Sequence, residues 1–135
     1  MAKIERFEDI EAWKKARILV RRVYEFTRVE SFRKDYNLID QMRRSAISIM
    51  ANIAEGFARR THKEFINFLG MAHGSAAELQ SHLYVALDQN YLLNKDFNEL
   101  YTSADEVSKL IQGFSNYLRN LRTPKPLNSQ TLKPR

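Results

Sequence analysis

The sequence predicts an all-α protein, an up-and-down antiparallel four-helix bundle, on three observations. Proline occurs only at Pro124, Pro126 and Pro134, so nothing before residue 124 imposes the usual stop on a helix. Strand-type alternation of apolar and polar positions is nearly absent, while an apolar period of three and four residues recurs in four successive segments. The links after the second and third segments are short, which forces those neighbours to run antiparallel.

Helix one is expected over residues 9–28, where Trp13, Ala16, Val20, Val23 and Thr27 form a stripe that Leu19 and Phe26 broaden. A charged connector over residues 29–37 leads to helix two, residues 38–58, with Met42, Ala46, Ile49, Ile53 and Phe57 on its inner side. Thr61 and Glu64 have the spacing of a capping box, in which hydroxyl and carboxylate satisfy each other's free backbone amides. Helix three therefore begins directly after a tight turn at Arg59 and Arg60. Its stripe is Phe65, Phe68, Leu69, Ala72, Ala76, Leu79, Leu83 and Ala86. Asp96 and Glu99 offer a weaker cap for helix four, in which Phe97, Leu100, Ala104, Val107, Ile111, Phe114, Leu118 and Leu121 make an almost strict heptad seam.

The 135 residues suit one domain, and 44% hydrophobic content suffices for a core. Residues 1–122 are assigned to the bundle and residues 123–135, with three prolines, to a flexible basic tail. The chain has no cysteine, which excludes disulfides, thiolate metal sites and a cysteine nucleophile. There is no apolar leader and no run near the ~18 apolar residues of a membrane span, so a cytoplasmic protein with no membrane partner is expected. The net charge of +6 is concentrated at one end: from Arg119 onward there are five basic residues and no acid, which leaves 17 basic and 16 acidic groups before it.

Helix three carries too little charge for a helix with one wet face. Between Glu64 and Asp88 only Glu78 is formally charged, and Gly70, Gly74, Ala77, Ser81 and Tyr84 line up opposite the core stripe. Small residues admit another backbone at close range, so this seam is expected at a subunit interface. The alternatives are close packing inside one bundle, or an uncharged face in water. Each interior glycine costs ~1 kcal/mol relative to alanine, which favours a packing reason.

The stretch QMRRSAISIMANIAEGFAR, from Gln41, followed by FLGMAHGSAAEL and preceded by FEDIEAWKKA and VYEFT, resembles a bacterial family. Its members are four-helix-bundle proteins encoded by intervening sequences within large-subunit ribosomal RNA genes. The resemblance spans residues 7–122 and departs at Ser45, where alanine is expected, and at Met50, where proline is expected. It implies a ring-like homo-oligomer, with a pentamer favoured, and does not imply an enzyme. A related branch is the accessory variability protein of diversity-generating retroelements, which binds a reverse transcriptase and nucleic acid.

Helix two places Arg44, Ser48, Glu55 and Arg59 on one side, with Ser45 and Asn52 between that side and the core. Arg44, Ser48, Asn52 and Glu55 are read either as a ligand site or, preferably, as a hydrogen-bonded network fixing helix register or a subunit contact. Catalytic parts do not assemble. Glu78 and His82 are four apart with no second pair, unlike the repeated Glu-x-x-His of di-iron bundles, and His62, His73 and His82 lack zinc spacing. Each histidine is expected at the surface or an interface, and no metal or cofactor is expected.

Basic clusters are better candidates. Lys14, Arg17, Arg21 and Arg28 share a face of helix one, flanked by Lys15 and Arg22, and Arg59, Arg60 and Lys63 crowd the turn before helix three. Repeated around a ring, such patches multiply the field felt by a phosphate backbone. Solvated charge, partly neutralised by Glu11, Glu25 and Glu64, is the plain alternative. The expected function is non-enzymatic binding of RNA or DNA by an oligomer. The alternative is a scaffold recruiting a protein such as a reverse transcriptase.

Overall fold

A computed structural model describes residues 3–32 and 34–121, and the tail expected over residues 123–135 lies outside them. Among the described residues there are four long helices and no strand: α1 (Glu11–Thr27), α2 (Tyr36–Phe57), α3 (His62–Asp88) and α4 (Asn94–Arg119). Each helix packs on its two neighbours in sequence, and α1 meets α4 to close the square. With every helix reversing its predecessor, α1 starts and α4 finishes at the end of the bundle where α2 hands over to α3.

The helix ends follow from local chemistry. Asp35 caps α2 by accepting the Leu38 amide at 3.1 Å, and Thr61 caps α3 by accepting the Glu64 amide at 3.1 Å. The Thr61 hydroxyl in turn donates to the Glu64 carboxylate at 3.1 Å, so the hydroxyl half of the expected capping box is present, while the carboxylate takes the threonine hydroxyl in place of a backbone amide. The expected cap of α4 is not. That helix starts at Asn94 after Leu93, and no side chain caps it. Asp96 falls in its first turn and Glu99 beyond it, so neither stands at the capping position, which Leu93 holds.

The α3 helix stops without glycine. Asn90 takes the left-handed conformation (φ 63°), and the Tyr91 amide turns back to the Ala86 carbonyl at 2.9 Å. Asparagine tolerates this geometry better than other residues with a Cβ, and the reversed bond satisfies a carbonyl that the helix end would leave free. Tyr91 then ties both turns of this end together. Its hydroxyl donates to the capping Asp35 at 3.0 Å, and its carbonyl accepts from Ser31 at 3.0 Å. That bond to a carboxylate raises the Tyr91 pKa above its ordinary value.

The core takes in most of the expected stripes, but α1 is turned relative to expectation. Ala12, Ala16, Leu19, Val23 and Thr27 are buried, while Trp13, Val20 and Phe26 are half-buried at its flanks. Small alanines bring α1 close to its neighbours, and the larger side chains then wrap the edges. Phe57, Phe68, Phe114 and Leu121 are likewise half-buried rather than central. The connector after α1 contributes Phe32, fully buried and 5.1 Å from the Tyr91 ring.

The α2–α3 contact is tightest at Gly56. A Cβ there would lie 2.7 Å from Phe65 Cδ1 and 2.8 Å from Phe68 Cβ. Only glycine leaves room for the two helices at this crossing. Ser45 is buried on the same helix and donates to the Met42 carbonyl at 3.1 Å, while α2 runs unbroken through Met50.

Candidate functional site

The α1 face is the most distinctive polar surface. Lys14, Lys15, Arg17, Arg21 and Arg28 are all exposed, and among the described residues Lys15, Arg17 and Arg21 have no acid within ion-pair distance. Lys14 lies near Asp9, whose carboxyl is held below its ordinary range first by the Glu5 amide bond at 3.0 Å. Arg17 and Arg28 rest against their own helix, over the Trp13 and Tyr24 rings at 5.9 and 6.0 Å.

Other cations are neutralised by the fold. Arg22 pairs with Glu99 across the α1–α4 seam, Arg44 with Asp40 at 2.9 Å and Lys109 with Asp105 at 3.4 Å. In the turn before α3, Arg59 is held by Glu55 at 3.0 Å and lies 4.6 Å over the Phe68 ring. Its neighbours Arg60 and Lys63 are exposed and form no ion pair among the described residues. Lys14 and Arg17 share with Arg60 and Lys63 the end of the bundle at which α1 begins.

The polar stripe of α2 divides into separate pieces. Asn52 donates to the Ser48 carbonyl at 2.9 Å and hydroxyl at 3.0 Å, and Ser75 of α3 donates to the Ser48 hydroxyl at 2.9 Å. This is a polar clasp between α2 and α3. Arg44 and Glu55 stand outside it, each occupied by its own i, i+4 partner, so no carboxylate, amide and guanidinium converge on one point. Among the described residues no three potential metal ligands cluster.

The small-residue seam of α3 faces outward. Gly70, Gly74, Ala77, Ser81 and Tyr84 are exposed in the protomer, and an added Cβ at Gly70 or Gly74 would meet nothing within 4 Å. Close packing inside the bundle therefore does not require these glycines. The face is also more apolar than the sequence pattern indicated, because Met71 (55% exposed) and Val85 (44%) of the same helix adjoin it. Tyr84 leans toward α4, with its ring 4.9 Å from that of Phe97.

The histidines differ from one another. His73 is exposed, and His82 Nε2 lies 3.5 Å from a Glu78 carboxylate oxygen without forming a hydrogen bond to it. His62, expected at a surface or interface, is only 5% exposed in the protomer. The reason lies in its register: His62, Phe65, Leu69 and Ala72 continue the α3 stripe backward at steps of three and four. Its Nε2 is buried without a hydrogen-bond partner, and burial pushes its pKa below the ordinary 6.5.

The unfolded chain therefore binds a proton at His62 more readily than the folded one, so stability rises with pH across that window. Stability is complete above pH 6.5 and falls as the pH drops through the folded value. Urea denaturation of the protein and of His62→Leu across this range is expected to show the slope in the former and a flatter profile in the latter. Equal slopes would assign the effect to other groups.

A square of four antiparallel helices, with charge on its rims and no metal cluster among the described residues, defines the class: an all-α four-helix bundle. The chain belongs to the 23S rRNA-intervening sequence protein family, whose model matches residues 8–113. It is also similar to a solved protein of unknown function from the S23 ribosomal protein family of Bacteroides thetaiotaomicron VPI-5482. The two share 25% identity and a TM-score of 0.71, over 77% of this chain and 97% of that one. No curated protein matches the chain. Neither description names an enzymatic activity. No described helix is long and apolar enough to cross a membrane.

Proposed function

We propose that the protein is a non-enzymatic, cytoplasmic, ring-like homo-oligomer, with a pentamer favoured, that binds nucleic acid through phosphate contacts. The carrying observation is the contrast among its cations. Arg22, Arg44, Arg59 and Lys109 are taken by acids, whereas Lys15, Arg17 and Arg21 stand exposed on one helix and unpaired among the described residues. Free guanidinium and ammonium groups on a rigid helix are the groups that displace counterions from a phosphate backbone. The family's description, tied to an rRNA intervening sequence, supports RNA as the first nucleic acid to test. The outward seam of α3, joined by Met71 and Val85, is the proposed contact between copies.

Binding of labelled RNA, followed by fluorescence anisotropy, is expected to weaken with salt. Three phosphate contacts correspond to roughly a 20- to 40-fold loss between about 50 and about 200 mM salt. Reversal of Lys14, Arg17 and Arg21 to glutamate should remove most of that affinity, and reversal of Arg60 and Lys63 reports whether the turn contributes. Salt-independent binding, or full binding after all reversals, would reject the reading.

The scaffold alternative, recruitment of a protein such as a reverse transcriptase, is favoured by the uncharged face of α3. It would leave partner capture intact in the charge-reversed protein.

A further inference from the structure

We infer that a cleft on the outer side of α1 seats an unstacked nucleobase, so that this surface takes single-stranded rather than duplex nucleic acid. The inference rests on the phosphate-binding reading and specifies its ligand. The cleft is open, about 470 Å³, and is lined by Ile18, Arg21, Arg22, Glu25, Phe26 and Val29.

Ile18 and Val29 are 47% and 45% exposed, so two large aliphatic side chains meet solvent within the most basic stretch of the bundle. Phosphate binding alone has no use for them. A duplex presents sugars and phosphates outward and keeps its bases stacked inside, which would set its charged backbone against this apolar floor. A single strand can turn a base outward onto it.

The rim suits such a strand. Arg22 is anchored by Glu99, and its guanidinium lies 5.8 Å from the centre of the Phe26 ring, which places two planar groups together at the cleft. Planar groups of this kind are the platforms on which bases stack. Arg21, exposed and unpaired, is one residue away for the adjoining phosphate. Glu25 repels phosphate, but its carboxylate accepts hydrogen bonds and matches the amino groups of cytosine, adenine and guanine. Those amino groups are freest on the Watson–Crick edge of an unpaired strand.

The test compares a labelled single-stranded RNA of mixed sequence with its duplex at one fixed salt concentration. The protein is expected to prefer the single strand by about tenfold, the scale of one stacked base. The double variant Ile18→Ser, Val29→Ser should bring the ratio of affinities close to one. Ile47→Ser, at a comparably exposed apolar residue (41%) on α2, should preserve it.

Equal affinity for the two forms, or a preference that survives the double substitution, would overturn the inference while leaving phosphate binding in place. Failure to bind either form would overturn both. Binding of an acidic amphipathic peptide instead, lost on the same double substitution, would replace the base with a protein partner.

Discussion

Phe65→Ala is expected to lower the stability of the bundle by about 3–5 kcal/mol, the usual cost of deleting a buried phenylalanine together with the cavity left behind. Phe65 is fully buried, and it joins three helices. Its ring meets Phe57 of α2 at 6.3 Å and Phe114 of α4 at 5.4 Å, both edge to face, and presses on the bare backbone of Gly56. Because α2 and α3 approach so closely here, neighbouring backbone cannot easily collapse into the space. Urea denaturation measures the effect. A loss below about 1 kcal/mol would mean that this aromatic junction does not hold the end of the bundle together.

Met71→Glu and Gly74→Glu are expected to convert the assembled protein into folded protomers. Met71 is 55% exposed, and the space around a Cβ at Gly74 is empty to 4 Å, so neither substitution disturbs the bundle itself. In an interface between copies the same carboxylate loses its water without gaining a partner, at a cost of several kcal/mol. Cyclic symmetry repeats that cost at every contact. Light scattering at micromolar concentration should give an oligomer for the unmodified protein and a protomer of unchanged helicity for each variant. A lone protomer before any substitution would remove the assembly, and an oligomer that tolerates both carboxylates would place its contacts elsewhere.

Much of the fold was legible because helix periodicity is local. The seam of α4 and the Thr61 cap depend on residues within a few turns of one another, and both are present where expected. The rotation of α1 was less legible, since which of Ala12 and Trp13 turns inward is decided by how closely a neighbouring helix can approach. Phe32 was hidden for a different reason: a single aromatic residue in a charged connector carries no period. His62 did carry one, continuing the stripe through Phe65 and Leu69, but its polarity masked the pattern.

The candidate site was legible as a list of cations and not as a surface. Arg22 and Arg21 are neighbours in sequence with the same charge, yet only Arg22 finds an acid across the bundle, Glu99 of α4. Pairing across helices is a property of the packed fold, and so is the cleft that Ile18 and Val29 share with these arginines. In the same way, the glycines of α3 raised the question of close packing, but only the folded chain shows that nothing inside the protomer packs on them.

An even number of reversing rods returns the polypeptide to the side from which it set out. A fluorescent or affinity module attached before α1 or after α4 therefore departs from the same side, alongside Arg60 and Lys63. The opposite side, knotted by Tyr91 with Asp35 and Ser31, stays bare for either attachment. Chemical labels intended to leave Arg60 and Lys63 uncrowded belong there.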